Sequence, residues 1–147
     1  MTSELRRAAK ALVATRVEAF ASPYPPEAAK ARLERALAEA GAPRALRLAG
    51  AWKIAGGVAS YEATFAPARG TQRFLSGISM ALVLLVAASA WALASPGQSA
   101  TLRFLLPMST LLAAFAVPFV VVGVASRREA EEARLTRTIR AALQAGD

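Results

Sequence analysis

Two apolar runs without a charged residue constrain the fold of this chain more than any other feature. The first extends from Phe74 to Ala94 and the second from Phe104 to Ala125. Each matches or exceeds the roughly 20 residues that a helix needs to cross the hydrocarbon core of a bilayer. Two buried helices of a soluble core would need a surrounding shell of protein, and a chain of 147 residues is too short to supply one. We therefore predict two transmembrane helices, at 74–94 and 104–125, joined by a short extracytoplasmic loop at 95–103.

The positions of the arginines predict how these helices are oriented. Arg69 and Arg73 precede the first run, and Arg127 and Arg128 follow the second. Because cytoplasmic loops carry an excess of Lys and Arg, both termini are expected in the cytoplasm. Arg103, one residue outside the second run, is expected to snorkel to the opposite interface. The same arginines could instead mark a site for anionic lipid, although flanking charges of this kind are the rule in membrane proteins.

The N-terminal residues bear on targeting. The first twenty interleave charged and apolar side chains instead of presenting a basic start and an uninterrupted apolar segment. No cleavable signal is therefore expected, and the first span itself directs insertion. We expect an integral membrane protein, in contact with membrane lipids, of the kind found in a bacterial inner (plasma) membrane.

The composition argues against several classes of function. The formal net charge is +8, but the basic residues alternate with glutamates and lack an aromatic stacking platform, so nucleic acid is not an expected partner. The chain contains neither Cys nor His, which removes the thiolate nucleophile and the commonest general base and metal ligand. Since no nucleophile with its base and no phosphate-binding loop is recognisable either, we expect no enzyme, no cofactor and no metal site.

Residues 1–70 are predicted to form a small cytoplasmic α+β domain with the order α-α-β-β. The first helix is expected at about 4–20, where Leu5, Leu12 and Phe20 share one face that Arg16 interrupts. This helix could pack on the domain or lie on the membrane surface. The second helix is expected at about 26–40, after a proline-rich breaker and before a capping glycine.

A β-hairpin is predicted at about 45–66, with Gly56 and Gly57 as its two-residue turn. This turn sets Trp52 opposite Tyr61 and Leu48 opposite Phe65, so that the large apolar side chains share one face. A slip of one residue would mix the two faces, which makes the register specific.

Small residues recur on one side of each apolar run. They are Gly77, Ala81, Ala88 and Ala92 in the first run, and Ser109, Ala113, Ala116 and Gly123 in the second. Small side chains let helices approach closely, so these residues are expected to form the interface of a helical hairpin or to contact a partner's helix.

The segment 126–147 is predicted to be a charged, amphipathic helix on the cytoplasmic side. Leu135, Ile139, Ala142 and Leu143 form its apolar stripe. It could complete the core of the small domain, dock on another protein, or self-associate.

Function is predicted only in outline. The spans carry no ionisable side chain and no continuous polar stripe, which favours a non-enzymatic accessory, scaffold or regulatory subunit that presents its cytoplasmic domain to a partner. Protein partners or self-association are expected through the domain, the C-terminal helix or the small-residue faces. The alternative is a small pore or transporter component built from several identical copies.

Overall fold

The computed structural model of this protein describes residues 2–144, which form four helices and three strands. In chain order the elements are α1 (Thr2–Val13), β1 (Arg16–Ser22), α2 (Pro26–Ala40), β2 (Leu46–Ala55), β3 (Val58–Pro67), α3 (Arg69–Ala94) and α4 (Ala100–Gln144). Two of the helices, α3 and α4, are long and apolar enough to cross a membrane.

The N-terminal segment departs from its prediction, because the helix expected at 4–20 ends at Val13. Residues 16–22 form the strand β1, so the order of the domain is α-β-α-β-β and not α-α-β-β. In β1 the side chains alternate, with Phe20 and Ser22 buried and Ala19 and Ala21 exposed. This period of two overlaps a helical spacing of apolar residues, and the strand is stabilised by pairing with β3, far away in the sequence.

The three strands form an antiparallel sheet in the order β1-β3-β2. The register of β2 and β3 is the one that the sequence predicts, with Trp52 opposite Tyr61 and Leu48 opposite Phe65. The rings of Trp52 and Tyr61 lie 5.1 Å apart between centroids in a tilted arrangement, a geometry that stabilises cross-strand aromatic pairs. Gly56 and Gly57 form the turn with φ of 59° and 82°, which only glycine adopts without strain.

Gly50 contributes to this packing in a way that the sequence does not reveal. A Cβ atom at this position would overlap the phenol ring of Tyr61. The glycine therefore leaves the space in which the Tyr61 side chain, 6% exposed, lies across β2.

One face of the sheet forms the core of the domain together with α2 and the last turns of α4. The buried residues of this core are Phe20, Ala29, Leu33, Leu46, Tyr61, Ala63, Phe65, Leu135, Ile139 and Leu143. α2 begins at Pro26 and ends at Ala40, the predicted range, and Gly41 donates its backbone N–H to the Leu37 carbonyl. Of the three roles considered for the apolar stripe near the C-terminus, the structure shows the completion of this core.

The second apolar run and the charged segment after it are one continuous helix, α4, of 45 residues. The sequence predicts a boundary at residue 126, where the side chains change from apolar to charged. The backbone hydrogen bonds of a helix do not depend on that change, and α4 therefore extends about 67 Å at 1.5 Å per residue. The connection between α3 and α4 is shorter than predicted, since α4 begins at Ala100 and includes the residues up to Arg103.

Candidate functional site: the α4 junction and the surfaces around it

The second half of α4 binds the C-terminal ends of α1 and α2. Arg128, only 3% exposed, donates from its two terminal guanidinium nitrogens to the carbonyl oxygens of Ala11 and Ala14, where α1 ends. The C-terminus of a helix carries partial negative charge and unpaired carbonyls, so a buried guanidinium stabilises it. Arg128, predicted to flank the membrane as a topology signal, is enclosed by protein and fixes α1 to α4.

Two further side chains of α4 fix the segment between α2 and β2. The carboxylate of Glu131 accepts hydrogen bonds from the backbone N–H of Arg44 at 3.1 Å and of Ala45 at 2.8 Å. Arg134 donates to the carbonyl oxygen of Ala40, the last residue of α2, at 3.1 Å. Backbone groups that neither α2 nor the sheet could pair are thus satisfied by α4.

Ion pairs connect β1 to the same helix. Arg16 contacts Glu132 at 3.0 Å, and Arg140 contacts Glu18 at 3.3 Å. Arg16 interrupted the apolar face of the predicted N-terminal helix, but in a strand its side chain points to a carboxylate of α4. Because both arginines are mostly exposed, these pairs add little free energy and mainly fix the orientation of the helix on the sheet.

A pair of hydroxyl groups defines the contact between α3 and α4. The Oγ atom of Ser89 and the Oγ1 atom of Thr110 are 2.6 Å apart, and both also contact the carbonyl oxygen of Leu85. Away from water such hydrogen bonds hold two helices in one alignment. At the end of the hairpin, the half-buried Arg103 donates to the carbonyl oxygen of Ser95, which ends α3.

Only some of the small residues predicted as the interface lie at this contact between α3 and α4. Ala92 is buried, and Ala88 and Ala113 are half-buried, in keeping with a place in or beside the interface. The remaining five are exposed, namely Gly77, Ala81, Ser109, Ala116 and Gly123. A Cβ at either glycine would meet no atom within 4 Å, so these two do not serve a close approach of α3 and α4.

The remaining predicted arginines, Arg69, Arg73 and Arg127, have exposed side chains. Arg69 begins α3, and Arg127 lies beyond the apolar part of α4. Since Ser89 lies beside Thr110 and the helices run antiparallel, Arg73 is level with about residue 126 of α4. The exposed arginines therefore mark one level across both helices.

The face of the sheet opposite the core is open. Its exposed residues include small or apolar ones (Val17, Ala19, Ala21, Ala49 and Ala51) and two charged ones (Arg47 and Lys53). Lys53 and Glu62 form an ion pair on this face, as cross-strand neighbours of opposite charge do. No helix of the part of the chain described here packs on this face, which we call the outer sheet face.

A cleft of about 310 Å³ lies between α1 and the apolar part of α4. Its lining is apolar except for Glu4, and it consists of Glu4, Leu5, Ala114, Phe115, Pro118, Phe119 and Val122. Within residues 2–144 no three carboxylates lie together as a metal site would require. Burial raises the pKa of the Tyr61 phenol above its ordinary 10.0.

Comparisons of this chain with protein-family models, with curated proteins and with solved structures find no match.

Proposed function

We propose that this chain is a two-span membrane protein that acts as a non-enzymatic accessory subunit and binds a partner protein through its cytoplasmic domain. The observation that carries the proposal is the outer sheet face, an open surface on which the alanines of β1 and β2 lie beside the charged Arg47, Lys53 and Glu62. Contiguous exposed apolar patches with a polar rim mark protein interaction sites.

The construction of α4 supports this role. Its apolar part is joined without a break to the turns that complete the core of the domain. Because Leu135, Ile139 and Leu143 are fully buried, the domain cannot rotate freely about the end of the span. The outer sheet face is thereby held in a fixed direction relative to the membrane, which suits a subunit that positions a partner.

The orientation proposed for this subunit places both termini in the cytoplasm. The exposed arginines Arg69, Arg73 and Arg127 lie at the end of the helical hairpin that carries the domain. Such a cluster on one side is the arrangement that the positive-inside rule associates with the cytoplasm.

A second candidate function, a small pore built from several copies, is favoured by one specific observation. Gly77, Ala81, Ala116 and Gly123 are exposed on the outside of the hairpin, where they would allow helices of further copies to approach closely. In this arrangement the self-association would involve the spans and not the sheet.

Site-specific photo-crosslinking in native membranes tests the proposal. A photoreactive amino acid at Ala49 on the outer sheet face is expected to give a discrete adduct with a different protein, which mass spectrometry identifies. The same amino acid at Ala31, exposed on α2, serves as the matched control and is expected to give none. Adducts of two identical chains from Gly77, without any adduct from Ala49, would instead support the pore.

A further inference from the structure

The position of α1 is unusual for the first helix of a soluble domain. Its last turn meets Arg128, whereas Glu4 and Leu5 in its first turns line the cleft with residues 114–122 of α4. α1 therefore runs antiparallel to α4 and extends along the apolar part of that helix. Pro118, beside Leu5, lies about 12 Å closer to the α3–α4 connection than residue 126, the level of Arg73. The start of α1 therefore lies between the level of the exposed arginines and the α3–α4 connection.

At that depth α1 lies along α4, and not flat in the interface plane as an interfacial amphipathic helix does. The side of α1 that faces α4 is apolar, with Leu12 buried and Leu5 half-buried. The inference made here rests on the proposed arrangement in which α3 and α4 cross a bilayer.

The opposite side of α1 is cationic. Arg6, Arg7 and Lys10 are exposed, and the one acidic side chain of the helix is Glu4 at the rim of the cleft. A cation near the hydrocarbon is costly unless it reaches a headgroup or a counter-charge. Long basic side chains satisfy this requirement by extending to lipid phosphates, and each contributes about 1 kcal/mol at an anionic surface.

The apolar cleft and the cationic surface are continuous. Leu5 lines the cleft, and it also borders the surface groove formed by Ser3, Arg6, Arg7 and Lys10. A ligand that occupies both the cleft and the cationic groove needs an apolar chain for the cleft and an anionic group for the groove. The volume of about 310 Å³ is at the small end of ligand pockets, as a single narrow chain requires.

We propose that α1 and the apolar part of α4 form a binding site for one anionic phospholipid. An acyl chain occupies the cleft beside Leu5, Phe115 and Phe119, and the phosphate is bound by Arg6, Arg7 and Lys10. The lipid neutralises the cationic side of α1 at the level where the helix enters the membrane. It thereby holds α1 on α4 in addition to the hydrogen bonds of Arg128.

The test uses the full chain in lipid nanodiscs of phosphatidylcholine, with or without phosphatidylglycerol. Native mass spectrometry after release from the discs is expected to show one retained phosphatidylglycerol per chain. Amide exchange across residues 2–13 is expected to slow when phosphatidylglycerol is present. Because each cation contributes about fivefold to affinity, the variant Arg6→Gln/Arg7→Gln/Lys10→Gln should bind this lipid about a hundredfold more weakly.

Two variants distinguish a built site from general attraction between charges. Lys30→Gln/Arg35→Gln/Arg137→Gln removes the same charge from exposed positions elsewhere in the domain and is expected to retain the lipid. Ala114→Phe fills the cleft without changing charge and is expected to lose the lipid. Exchange across residues 58–67 reports whether the domain is intact in each variant.

Several results would overturn the site. Equal losses of lipid in both triple variants would mean that only the net charge of the protein matters. Retention by Ala114→Phe would show that the cleft holds no acyl chain, and equal exchange of α1 in both kinds of disc would refute its binding to anionic lipid. A chain that does not insert into either disc would contradict the two-span arrangement itself, whereas insertion without selectivity for phosphatidylglycerol contradicts only the lipid site.

Discussion

Arg127 and Arg128 are neighbours in the sequence, yet their guanidinium groups have different surroundings. Arg127 is exposed, whereas Arg128 is buried and bonded to the last carbonyls of α1. The sequence predicts the same role for both residues, because a pair of arginines after an apolar run is the usual topology signal. Only the contact between α1 and α4, which no local pattern encodes, separates their roles.

Replacing Arg128 by Met is expected to detach the end of α1 from α4. Each hydrogen bond to a charged group contributes about 1.5–3 kcal/mol and Arg128 makes two, so the free energy of local opening should fall by at least that amount. Hydrogen exchange across residues 2–13 measures this opening. Arg127→Met is the matched control, with an expected change within about 0.5 kcal/mol because its side chain is exposed. Equal acceleration of hydrogen exchange in both variants would show that Arg128 does not hold the end of α1.

The buried phenol group of Tyr61 is expected to make the stability of the domain depend on pH. Burial raises the pKa of its phenol above 10.0, so the neutral form is favoured in the folded state. This contribution to stability is fully present below pH 10.0 and is lost as the pH rises from there through the folded pKa. Tyr61→Phe should therefore lose less stability above pH 10.0 than the wild type.

The measurement for this residue is the free energy of unfolding of the domain across the alkaline range, with phenolate absorbance recorded in parallel. Tyr24→Phe is the control and is expected to keep the alkaline loss of stability. A loss that is the same in the wild type and in Tyr61→Phe would show that other groups cause it.

At the scale of elements, the turn and the register of the β-hairpin could be predicted from the sequence. Both strands alternate with a period of two, and the Gly56-Gly57 turn leaves one register that separates the faces. β1 could not be read in this way, because Phe20 fits a helical stripe as well as a strand. Its pairing with β3 spans about forty residues of sequence, and nothing local to residues 16–22 specifies that partner.

The sequence does not predict that α4 is continuous either. The buried stripe of this helix can be tested by mutation. Ile139 is fully buried against the sheet, so Ile139→Ala should destabilise the domain by about 2–5 kcal/mol. Arg137→Ala, an exposed change on the same helix, should alter the stability by less than about 0.5 kcal/mol. Denaturant unfolding in detergent measures both. An unaffected domain in Ile139→Ala would mean that α4 does not complete its core.

At the scale of the whole molecule, the apolar runs and their flanking charges were readable because both depend on composition alone. The interface between α3 and α4 was only partly readable. The spacing of small residues suggested one stripe, whereas the bond between Ser89 and Thr110 rotates the contact away from Gly77 and Gly123. One polar pair can decide the alignment of two apolar helices, because hydrogen bonds are directional and apolar contacts are not.

The proposed orientation can be tested with single cysteines, because the chain contains no native cysteine. Single cysteines at Ala31, Ser99 and Gln144 report on the domain, the α3–α4 connection and the end of α4. With an impermeant thiol reagent, intact cells should label only Ser99→Cys, and permeabilised cells should label all three. Labelling of Ala31→Cys and Gln144→Cys in intact cells would place the domain outside the cell. The outer sheet face would then meet an extracytoplasmic partner, because α4 fixes the domain to the same side as its own C-terminal turns.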